Sequence, residues 1–134
     1  MTMRTVAIAS AALGALFGLA ALLVPAQFVA LFDVELPEAG LLTTRLFGVG
    51  LLAVAVIDWF ARDALPGTGQ PGTERGIVIA NLLSLTLTTM LVVSATLSGT
   101  INALGWANAG LLAVVAVAWL YFGLLARGTA ATTA

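Results

Sequence analysis

Two ionisable side chains sit inside long apolar stretches of this chain, Arg45 and Asp58. A charge at the bilayer centre costs at least about 2.5–3.5 kcal/mol on insertion scales and less near a span end. Each therefore calls for a partner or a function. Arg45 lies about five residues into an apolar run that extends from about Leu41 to Phe60. Its candidate partners are Glu35 and Glu38 in the acidic segment before that run, and Asn102 and Asn108 in the last quarter of the chain. The other reading is that its long stem lets the guanidinium snorkel to the lipid phosphates. Asp58 stands four residues before Arg62, the favourable acid-first order for an i,i+4 ion pair. Its sharper reading is a proton or cation site facing Asn81. Arg45 and Asp58 are 13 positions apart, about 220° around a helix, so they do not share a face.

A third feature is the stripe Asn81, Ser84 and Thr88, spaced i, i+3, i+7 on the most polar of the apolar runs. Such a stripe can line a path for an ion or small molecule. More often a Ser or Thr bonds the carbonyl four residues back, and a lone Asn bonds a neighbouring helix. Thr86, Thr89, Ser94 and Thr96 lie elsewhere around the same helix.

The chemistry that is missing narrows the field. The chain has no Cys and no His. Disulfides, thiol redox chemistry, Ser-His-Asp and Cys-His catalysis, and nearly all zinc and haem sites are thereby excluded. Arg45, Asp58, Tyr121 and the hydroxyls would have to carry any general acid–base step, which is thin for an enzyme. No cofactor or metal is expected. The net charge of −1 offers no basic footprint for nucleic acid. Lysine is absent and all five basic residues are arginine, which fits GC-rich coding.

The elements that must hold these residues are set by the solvent. The 134 residues are 61% hydrophobic and 8% charged, against about 45–50% and about 25% in soluble domains. A water-soluble core of this size cannot hide so much apolar surface. The expected fold is all-α, a single integral membrane four-helix transmembrane bundle with the lipid bilayer as its solvent. A span needs about 20 apolar residues. The four candidates run from about Thr5 to Val24, Leu41 to Phe60, Gly76 to Leu97 and Ala103 to Ala126. The first is too long for the 7–15-residue core of a signal peptide and is read as a span. Residues 25–40 read as an interfacial segment (Phe28, Val29, Leu31, Phe32) followed by an acidic outer loop (Asp33, Glu35, Glu38). Residues 61–75 are rich in Gly, Pro and Thr and read as a flexible inner loop. The break at Ser98-Gly99-Thr100 is short enough to make helices three and four an antiparallel hairpin.

Arg4, Arg62, Arg75 and Arg127 fall on the side of the two termini, and Arg45 alone lies toward the other. The positive-inside rule then predicts cytoplasmic termini in a multi-pass protein of the plasma membrane. Trp59, Phe60, Trp119, Tyr121 and Phe122 are expected in the inner aromatic belt, and Phe28, Phe32 and Trp106 near the outer one. Helix association in lipid depends on close backbone approach, because the tails are as apolar as Leu. Ser10, Gly14 and Gly18 on helix one, Gly48 on helix two, and Gly105 and Ala109 on helix four supply small contact surfaces. Gly14-x-x-x-Gly18 is the sharpest of them. They serve either packing within one bundle or contact between copies.

The run Arg45-Leu-Phe-Gly48-Val-Gly50, the end Asp58-Trp59-Phe60-Ala61-Arg62 and the Pro25 to Phe32 stretch resemble the uncharacterised small four-helix bacterial membrane proteins loosely grouped with the DoxX-like family. That resemblance implies a role in redox or quinone-linked complexes. In size and span count the chain also resembles the small multidrug exporters. Those carry a membrane-embedded Glu in helix one, so here Asp58 would have to take its part. The functional expectations are therefore, in order, a structural or accessory subunit of a complex or homo-oligomer; a small transporter or channel using Asp58; and a lipid- or quinone-binding protein of the DoxX-like type.

Overall fold

The computed structural model describes residues 2–63 and 71–125. Five α-helices follow one another: α1 (Met3–Leu23), α2 (Pro25–Ala30), α3 (Glu38–Ala61), α4 (Pro71–Leu97) and α5 (Leu104–Leu120), the last continued by a π-helical turn, Tyr121–Leu125. No strand occurs among the described residues. Four of the helices, counting α5 with its π turn, are long and apolar enough to cross a bilayer. The chain is a small, all-α, multi-pass membrane protein.

Local chemistry sets the ends of these helices. Thr2 caps α1 by accepting the Thr5 amide on its hydroxyl, which satisfies one of the donors a helix N-terminus leaves open. Pro25 has no amide hydrogen to continue α1, and it opens the six-residue α2 instead. Phe28 of α2 stands edge-on to both Phe17 and Phe32. This row folds the interfacial segment back onto α1. Glu38 occupies the first turn of α3, where a negative charge complements the helix dipole. After α4, Gly99 adopts a φ of 72°. The Thr100 amide donates to the Ala95 carbonyl and the Gly99 amide to that of Thr96. This pair is a Schellman close, which turns the chain directly into α5.

The loop between α3 and α4 is shorter than the sequence predicts. Pro71 stands in the first turn of a helix, where its missing amide costs nothing, so residues 71–75 belong to α4 rather than to a flexible 61–75 segment. Residues 64–70 lie outside the described residues. So does the tail from residue 126, with Arg127.

The helices pack as two pairs, α1 with α3 and α4 with α5, and α1 also touches α5. Backbones nearly meet in the first pair. A Cβ on Gly18 would stand 2.9 Å from the Gly48 carbonyl oxygen, and one on Gly48 would stand 2.7 Å from that of Gly18. Gly14 faces Ala55 one turn further along. In the second pair, Gly105 lies against Thr96 and Ile101, and Ala109 is buried behind it. Gly123 in the π turn is packed on Val78. Gly14, Gly18, Gly48, Gly105 and Gly123 thus make contacts within the chain, whereas Gly50 and Gly110 face open space. The pairs join through a compact core at the end that carries the N-terminus: Met3, Val6, Ala7, Ala61, Val78 and Trp119.

Gly48 and Gly50 make a test of this packing, because a Cβ on Gly50 would meet nothing within 4 Å. Gly48→Leu should cost about 1–3 kcal/mol or more. Gly50→Leu should stay within about 0.5 kcal/mol of the parent. Reversible unfolding in mixed micelles measures both.

Candidate functional site

Asp58 lies in the last turn of α3 and is 1% exposed. Its partner is Asn81 on α4: the Asn81 Nδ2 donates to Asp58 Oδ1 at 2.9 Å and also lies 3.2 Å from the Ile77 carbonyl of its own helix. The expected i,i+4 pair with Arg62 does not form. Arg62 sits past the helix end, where its guanidinium lies 4.1 Å from the Trp59 ring centroid and bonds the Trp59 carbonyl. It also forms an ion pair at 3.4 Å with Asp63, whose other oxygen takes Arg4 at 3.2 Å. The physical reason is competition: the Asp58 carboxylate is taken up by the Asn81 amide inside the bundle, while the Arg62 guanidinium is held by the Trp59 ring and carbonyl and by Asp63.

A second polar tie crosses the bundle a short way off. Trp119 is fully buried on α5, and its Nε1 donates to the Ser10 hydroxyl of α1 at 2.7 Å. This corrects its expected place in the aromatic belt. Trp59, Phe60, Tyr121 and Trp106 do face outward, whereas Phe122 is half-buried.

A third tie closes the opposite end. The Asn102 Nδ2 donates to the Leu31 carbonyl at 2.9 Å, its backbone amide donates to that of Phe32 at 3.0 Å, and its Oδ1 accepts the Leu104 amide. The hairpin turn between α4 and α5 is thereby pinned to the segment after α2.

Arg45 is exposed on α3 and has no hydrogen bond or ion pair among the described residues. Glu35, Glu38, Asn102 and Asn108 are therefore not its partners. Side chains on a helix lean toward its N-terminus, here the nearer end of α3, so an exposed Arg45 is placed to snorkel.

The expected polar stripe separates. Asn81 is buried, Thr88 is half-buried, and Ser84 is exposed on the outer face of α4. Thr89 and Thr96 return their hydroxyls to the carbonyls of Leu85 and Val92, as Thr43 and Thr44 do on α3. Asn108 is half-buried on α5.

One residue escaped the sequence reading. Glu74 is 5% exposed and lies on the same α4 stripe as Val78 and Asn81. Assigning residues 61–75 to a loop hid it. Proline at position 71, a helix-start signal, was the clue that places it on a helix.

Comparison with protein-family models, with curated proteins and with solved structures finds no match for this chain.

These contacts predict an order of sensitivity. Trp119→Phe keeps the ring and removes its donor, and should cost about 0.6–1.7 kcal/mol, the range of interhelical hydrogen bonds in bilayers. Arg45→Ala removes a side chain without a protein partner and should change stability by less than about 0.5 kcal/mol. Unfolding midpoints in one detergent mixture give the order.

Proposed function

We propose that this chain is a structural or accessory membrane protein, a subunit of a homo-oligomer or of a larger membrane complex. One observation carries the reading: Asp58, Asn81 and Trp119, all buried within the spans, spend their polar groups on bonds across helices. Asp58 is used by Asn81, and Ser10 by Trp119. Polar groups spent in this way hold a bundle in register. Between their charged ends (Arg4, Glu38, Arg75) the exposed faces of the helices are apolar, apart from Arg45 and scattered hydroxyls, amides and glycines.

The orientation belongs to the same proposal. Arg4, Arg62 and Arg75 lie at one end, and Asp33, Glu35 and Glu38 at the other. Retention of arginine in the cytoplasm favours termini inside a plasma membrane. A reporter fused after Ala134 should be active only in its cytoplasmic form; activity only outside would reverse the orientation.

A second reading, a small proton or cation transporter using Asp58, is favoured by one fact. A carboxyl group is buried in a span opposite a single amide donor, and intramembrane acids often mark proton relays.

One experiment separates the two. Protein extracted with its native lipids and captured by a tag should bring identical subunits or other chains with it, and liposomes holding the purified protein should show no proton flux. A solitary chain that moves protons, with Asp58→Asn abolishing the movement, would establish transport instead.

A further inference from the structure

We propose that the groove between α1 and α3 holds one acyl chain of an anionic phospholipid, whose headgroup phosphate is bound by the terminal amino groups of Arg4, with the Arg62 charge beside it, at the mouth of the groove. This site goes beyond the accessory role and stands independently of it.

The groove has a volume of about 300 Å³ and opens on the outer surface of the bundle. Ala11, Ala12 and Ala15 form its α1 wall; Ala55, Trp59 and Phe60 belong to its α3 wall. Small residues on α1 facing large ones on α3 leave a furrow rather than a flush surface. From Leu52 to Phe60 the α3 wall runs about 12 Å along the helix axis, at 1.5 Å per residue.

Both walls lead to an arginine at the same end. On α1, Arg4, Ala11 and Ala15 follow at i, i+7 and i+11, and so lie along one stripe. On α3, Ala55, Trp59 and Arg62 follow at i, i+4 and i+7. Contact confirms the register of the second wall, since the Arg62 guanidinium lies 4.1 Å from the centroid of the groove-lining Trp59 ring. Asp63 bridges the two arginines at 3.2 and 3.4 Å. Among the described residues this trio holds two guanidinium groups and one carboxylate, and so carries a net positive charge.

Donors remain for a ligand. Arg4 spends only its Nε on Asp63, and its side chain is 59% exposed. Its two terminal amino groups have no partner among the described residues. A guanidinium fork of that kind matches the oxygens of a phosphate.

The division of labour follows from the solvent. A lipid tail gains no hydrophobic energy by leaving other tails, so the groove contributes shape and dispersion contacts only. Selection among lipids falls to the arginines, which favour an anionic headgroup over a zwitterionic one.

Native mass spectrometry of the full chain in detergent, titrated with phosphatidylglycerol or phosphatidylcholine of identical acyl chains, tests the site. The parent should retain phosphatidylglycerol about fivefold or more over phosphatidylcholine. Arg4→Gln, on an exposed first turn, should lower that preference by about fivefold while circular dichroism shows unchanged helicity. Ala12→Leu, which fills the groove without touching the charges, should lower the retention of both lipids. Equal retention of the two lipids by the parent, an unchanged preference in Arg4→Gln or unchanged retention in Ala12→Leu would each overturn the proposal. So would a second copy of the chain covering the groove in place of lipid.

Discussion

In hydrocarbon there is no water to fall back on, and a carboxyl group buried between helices is kept only if a donor reaches it. Asp58 has such a donor on a different helix, the Asn81 amide at 2.9 Å. The two helices concerned, α3 and α4, do not otherwise pack along their lengths. This bond joins the α1–α3 pair to the α4–α5 pair beside the apolar core that also spans them. Val78, three residues before Asn81, enters the core beside Val6 and Ala7, and Gly123 closes over Val78. Trp119 reaches Ser10 from the far side. At the other end Asn102 repeats the principle with backbone carbonyls as acceptors.

Within each pair the logic differs. Lipid competes equally for Leu and Phe, so helices gain by approach rather than by burial of bulk. Gly18 and Gly48 bring two backbones close enough that a single methyl group on either would have to displace a carbonyl or an amide. That approach fixes the rotation of α3 about its axis. With Gly48 and Ala55 turned to α1, Asp58 is turned inward and Arg45 outward. The sequence separation of about 220° between the two charged residues is then realised as one buried and one exposed side chain.

The four spans were legible because composition alone demands lipid and the breaks between them are rich in Pro, Gly or charge. Gly14, Gly18 and Gly48 were legible as contact surfaces for the same reason that they work: nothing else in an apolar run is so small. The partners were harder. An i,i+4 rule favours Asp58 with Arg62, because it sees neighbours on one helix and cannot see Asn81 on another. Trp119 near a span end reads as a belt residue, and only the packing of α5 on α1 turns its donor toward Ser10. For Arg45 the sequence leaves a protein partner and snorkelling to lipid phosphates both open, and its exposed position without a protein partner among the described residues favours the second. Glu74 was lost with the loop to which it was assigned, since Gly and Thr around Pro71 outweighed the helix-start signal that Pro71 itself gives.

The central claim is that the Asp58–Asn81 bond couples the two helix pairs. A double-mutant cycle with Asp58→Ala, Asn81→Ala and the double variant measures that coupling directly in one bilayer mimetic. The account predicts a coupling energy of about 0.6–1.7 kcal/mol, the double variant being less destabilised than the sum of the single ones. Strictly additive effects, with no coupling outside experimental error, would contradict it.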